Sequence, residues 1–101
     1  MSSAGLNPRD IGALVALVEQ NRPSEAEQRA RTLLAAHPNA GMLWKILSVA
    51  LLRQDKDALQ ALRRTTELLP QDAEAHGNLA AALRDRGQWA AALARDRKSV
   101  V

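Results

Sequence analysis

The sequence predicts an all-α domain in which antiparallel helical hairpins stack into a short solenoid of about three hairpins and six helices. Three observations carry that prediction. No stretch of the 101 residues alternates apolar and polar side chains for long enough to argue a strand. Landmarks recur along the chain: Pro38 and Pro70, 32 residues apart, each close a candidate helix, and Ala26, Ala58 and Ala92 each open one at intervals of 32 and 34. A period in that range built from paired helices marks a solenoid. Finally, Met42 to Arg53 is apolar on every side at helical spacing, interrupted only by Lys45, Ser48 and Arg53. A helix of that kind belongs in a buried middle layer, and it is too short to span a bilayer, which needs roughly 20 apolar residues.

The helices follow in order. Asn7 and Pro8 read as an N-cap with proline at the first helical position, opening a helix through Ile11, Leu14, Leu17 and Val18 that stops near Asn21. Ser24 and Glu27 have capping-box spacing, so the second helix starts there and runs through Ala30, Leu33 and Leu34 to His37 and Pro38. Asn39 is the expected cap of the central helix, which ends between Arg53 and Asp55. The fourth helix carries Ala58, Leu62, Thr65 and Leu69 up to Pro70. Asp72 caps a fifth helix, which Gly87 ends, and a sixth starts near Gln88 with Trp89, Ala92 and Leu93. Short connections make successive helices antiparallel. Residues 1–6 are expected to be a flexible N-terminus and 7–101 one domain, with repeats of about 7–38, 39–70 and a truncated 71–101.

Composition narrows the chemistry. The chain is 47% hydrophobic with no Phe and no Tyr, so its core is aliphatic, with Trp44 and Trp89 as its large aromatics. There is no cysteine, which excludes disulfides and thiolate metal sites and fits a reducing compartment. Met1 to Asn7 lacks a basic region followed by an apolar one, so no signal peptide is expected and the cytoplasm is the default location. The net charge of +3 is carried by arginines that alternate with Glu and Asp, a pattern of solvated helix faces and not of a nucleic-acid surface. His37 and His76 are the only histidines. Glu74 and His76 fall on different helix faces and cannot share a metal. No carboxylate lies in an apolar run, and no phosphate loop or nucleophile elbow is present. The chain therefore reads as non-catalytic, with no cofactor.

In its landmarks the chain resembles the tetratricopeptide repeat family. The last repeat shows Ala73, Ala75, Leu79-Ala80, Leu83, Gly87, Trp89 and Ala92; the middle one shows Trp44, Leu47-Ser48, Leu51, Ala58 and Pro70; the first shows Ala13-Leu14, Leu17, Asn21, Ala26 and Pro38, with Asp10 where a large apolar residue is usual. The resemblance implies a right-handed solenoid that binds a protein or peptide on a concave face lined by the first helix of each hairpin. It also implies a test for one subfamily, whose Lys, Arg and Asn clamp holds acidic chaperone tails. The matching positions here are Ile11, Val15, Ile46 and Glu74, with Asn78 the one neutral polar group, so that clamp is missing. A second reading, from likeness to repeat segments that precede bacterial glycosyltransferase or sulfotransferase domains, is a targeting or regulatory segment of a larger enzyme.

The core stripe of Trp44, Leu47, Ser48 and Leu51 sets the direction of the groove. At about 100° per residue, Met42, Lys45, Val49, Leu52 and Arg53 share a neighbouring stripe, joined by Ile11, Val15 and Val18 from the first helix and by Gly77, Ala81 and Arg84 from the fifth. That surface suits a segment with apolar anchors and some acidic residues, an extended or helical peptide and not nucleic acid or a membrane. Leu79, Leu83, Trp89 and Leu93, left uncovered by a truncated last hairpin, are expected to give weak self-association.

Overall fold

The computed structural model describes residues 6–100, with side chains through Gln88. Its elements are α1 (Pro8–Glu19), α2 (Pro23–Ala36), α3 (Gly41–Arg53), α4 (Leu59–Leu68) and α5 (Ala73–Val100). Among the described residues there is no strand. Sequence neighbours pack on one another, and α3 also packs on α1, so that it touches α1, α2 and α4. The core is aliphatic as expected: Leu14, Ala26, Ala30, Leu43, Ala50 and Leu62 are fully enclosed, with Leu47 and Leu51 beside them. Ser48 and Thr65 are buried too, and each hydroxyl donates to a backbone carbonyl of its own helix, Lys45 O and Ala61 O. That removes the cost of an unpaired buried hydroxyl. Leu6, in the start expected to be flexible, packs against the core, and residues 1–5 lie outside the described residues.

Caps explain where the elements begin. Asn7 is the N-cap of α1, its side chain accepting from the Arg9 amide at 2.9 Å, with Pro8 in the first turn. Asp72 accepts from the Ala75 amide at 2.9 Å at the head of α5. The Ser24 capping box does not form. Pro23 is already helical, so Arg22 becomes the N-cap without a side-chain bond, and its guanidinium instead pairs with Glu25. Asn39 likewise caps nothing. Ala40 holds that position, and Asn39 accepts from Arg64 on α4.

Five helices stand where six were expected, because α5 runs through Gly87 without a break. The two turns inside the hairpins, α1 to α2 and α3 to α4, each contain a residue in the left-handed region, Asn21 (φ 62) and Asp55 (φ 56), whereas among the described residues no glycine has positive φ. Gly87 costs the helix about 1 kcal/mol, too little to end it. A hairpin also needs an apolar second helix. Counting from the opening alanines, the position that is Ala30 in the first repeat and Leu62 in the second is Asp96 in the third. Folding back would drive that carboxylate toward a core site, at a cost of several kcal/mol.

Trp44 is half-buried, at the margin of the core and not at its centre. Its indole Nε1 donates to Pro38 O at 2.8 Å, and the Arg64 guanidinium lies 5.6 Å from the ring centroid. One repeat on, the His76 ring Nε2 meets Pro70 O at 2.7 Å. The same six-residue clip thus ties the start of each helix to the carbonyl of the proline that closes the helix before it.

Candidate functional site

A cavity of about 180 Å³ opens between α1 and α3, lined by Val15, Val18, Glu19, Met42, Lys45, Ile46 and Val49. The positions follow from helical spacing: Val15, Val18 and Glu19 on one wall, Met42, Lys45, Ile46 and Val49 on the other, each set at intervals of three and four. Val18 and Ile46 are nearly enclosed and form the floor, while Val15 (38% exposed) and Met42 (42%) form the lip.

Five of the eleven residues expected in a groove therefore meet here: Val15, Val18, Met42, Lys45 and Val49. Leu52 and Ala81 line a second cavity, of about 530 Å³, between the 54–58 turn and α5, with Asp55, Lys56, Asp57, Ala58, Asn78, Ala82, Asp85 and Arg86. Ile11 is half-buried against the core and lines neither cavity. Arg53, Gly77 and Arg84 are exposed and also stand outside both. The helix apolar on all sides is thus buried on two of them, and its third stripe, with Met42 and Leu52 (39% exposed), reaches solvent.

The state of Lys45 differs from what a groove suited to acidic residues requires. Lys45 Nζ lies 2.6 Å from Asp72 Oδ2 and 3.4 Å from Glu74 Oε1. The Asp72 hydrogen bond raises the Lys45 pKa above its ordinary value, and the same bond, with the Ala75 amide, holds Asp72 below its own. Lys45 is consequently neutralised at the groove wall. Glu27 on α2 accepts from Lys56 (3.0 Å), Gln54 (2.9 Å) and Arg31 (3.0 Å). The Lys56 hydrogen bond is the main reason its pKa falls to about 2, against some desolvation. An equivalent link, with acid and base again 29 residues apart, joins Asp57 to Arg86 on α5.

Sequence reasoning missed Glu19 and Ile46 as lining residues. Glu19 follows Val15 by four and shares its face; Ile46 follows Met42 by four and also joins the core. Of the four residues expected to drive self-association, Leu79 is half-buried and Leu83 is 43% exposed on α5, while the side chains of Trp89 and Leu93 lie outside the described range. Among the described residues no three His, Cys, Asp or Glu side chains could hold a metal ion.

A family model described as tetratricopeptide repeat matches residues 13–57, from within α1 to the turn after α3. That stretch is similar to the tetratricopeptide repeat. No curated protein and no solved structure matches the chain. The tetratricopeptide match spans both walls of the apolar cavity. Tetratricopeptide repeats are in general protein-interaction modules, and the cavity lies between two first helices of the stack. No described helix is long and apolar enough to cross a membrane.

Proposed function

We propose that this protein is a non-catalytic interaction scaffold that holds a peptide or helical segment of a partner protein along α3. The observation that carries the reading is the open apolar groove between α1 and α3. Val15 and Met42, both substantially exposed, flank an apolar floor, and a concave apolar site of that kind can take a partner's side chain. Neither nucleic acid nor a membrane is the partner in this reading. Trp44 is clipped to Pro38 O and covered by Arg64, so it offers no open face for base stacking.

The test is affinity capture from the source cell with the wild-type chain and with Val49→Glu. Val49 is half-buried at the groove wall, so a glutamate there can turn its carboxylate to solvent. Capture is expected to be lost while stability in urea falls by no more than about 1–2 kcal/mol. Undiminished capture by a folded Val49→Glu protein would remove the groove from the function.

A further inference from the structure

The groove has an apolar floor and acidic free charge, and from this we infer the chemistry of what it holds, an inference that rests on the reading above. Its size bounds the anchor. A cavity of about 180 Å³ is close to the roughly 150 Å³ that admits one benzene ring in an engineered apolar core. It therefore takes one leucine, methionine or phenylalanine side chain. Two ionisable groups stand in its wall. Lys45 is held by Asp72 and Glu74; Glu19 makes no ion pair among the described residues.

The cavity on the other flank of α3 repeats this pattern. Its cations Lys56 and Arg86 are tied to Glu27 and Asp57, whereas Asp55 and Asp85 make no ion pair among the described residues. Arg53 and Arg84 are exposed but line neither cavity. A chain with a net charge of +3 thus turns negative free charge toward these two sockets. From Met42 to Leu52 the distance along α3 is about 15 Å, nearly three helical turns. The geometry points to a basic amphipathic segment of a partner protein. One apolar side chain sits between α1 and α3, a Lys or Arg reaches Glu19, and a further basic residue nearly three turns on reaches Asp55 or Asp85. This partner has the opposite charge to the one the sequence suggested, because the cation at the groove wall is already paired.

Fluorescence anisotropy on the full chain tests this with two labelled amphipathic helices that share one leucine stripe, one bearing lysines on its polar face and the other glutamates. The lysine peptide is expected to bind about tenfold tighter at low salt, with the gap closing as salt rises. Non-specific attraction to a chain of positive net charge would favour the glutamate peptide, so bulk charge cannot produce the expected order. Glu19→Lys should erase the preference. A Val15→Asn/Met42→Asn variant, checked for helicity, should lose both peptides without adding charge. If that variant loses binding but the glutamate peptide is bound as well or better by the wild type, the charge inference fails and the groove reading stands. If the variant binds both peptides unchanged, or the wild type binds neither, the groove reading fails and takes this inference with it.

Discussion

Gly41 opens α3 against the end of α4, and adding one methyl there tests how tightly the two hairpins abut. A Cβ at this position would lie 2.7 Å from Leu69 Cγ, 2.8 Å from Leu69 Cδ2 and 3.2 Å from Leu68 Cβ. Two of these approaches are closer than carbon atoms tolerate. Leu69 cannot swing away freely, because its amide is bonded to Thr65 O at 2.7 Å and its Cγ, two bonds from Cα, is not the far end of a long flexible side chain. Overpacking of this kind costs about 1–3 kcal/mol. Against it, alanine restricts the unfolded chain and favours helix by about 0.5–1 kcal/mol. The clash wins, and Gly41→Ala should lose about 1–2 kcal/mol, or about 5–15 °C in Tm for a domain of this size. Urea and thermal unfolding followed by circular dichroism would measure it. The cause is isolated by repeating the substitution in a Leu69→Ala background, where the added methyl has room and the loss should shrink by about 1 kcal/mol. A Gly41→Ala protein with a raised Tm, or one whose loss is the same in both backgrounds, would refute the packing argument.

Glu27→Gln removes the charge that binds α2 to the turn after α3. Three polar partners surround it, but Lys56 and Arg31 are about half-exposed, so screening limits the loss at neutral pH to about 1–2 kcal/mol. The sign of its pH dependence follows from the depressed pKa. With a folded value of about 2 against an ordinary 4.5, the contribution is full above about pH 4.5 and disappears as pH falls toward 2. Unfolding curves of wild type and variant should therefore converge on acidification, and a gap that stays constant to pH 2 would assign the effect to packing. Trp44→Phe keeps most of the ring but loses the bond to Pro38 O; it should cost about 1 kcal/mol, measured in urea, and a loss above 3 kcal/mol would place Trp44 in the core after all.

What was legible in the sequence were features whose cause is local. Asn7 with Pro8 caps a helix because nothing competes for its side chain, and Asp72 caps α5 with Oδ1 while Oδ2 takes Lys45. The buried faces of α2, α3 and α4 follow from spacing alone. Ser24 with Glu27 has the right local spacing and still fails, since Pro23 starts the helix two residues early and Lys56 and Gln54, 29 and 27 residues away, recruit the carboxylate. Asn39 is lost to Arg64 in the same way. The sixth helix failed for a different reason: Gly87 permits a turn without requiring one, and the chain beyond it offers Asp96 where the stack needs an apolar residue. In the groove, the apolar members could be placed by helical geometry. The state of Lys45 could not, because its partners come from the head of another hairpin.

The way the helices touch sets how the molecule would come apart. The closely packed pairs are α1 with α2, α1 with α3, α2 with α3, α3 with α4, and α4 with α5, so α5 packs mainly on α4, with ion pairs from its head to Lys45, while α3 is gripped from three sides. Opening of α5 leaves the rest of the stack intact, whereas opening of α3 takes every neighbour with it. Amide hydrogen exchange should therefore slow from α5 toward α3, with the central helix exchanging only on global unfolding. A ligand seated on α3 engages the last element to open, and its binding energy would be felt as added protection across the whole stack.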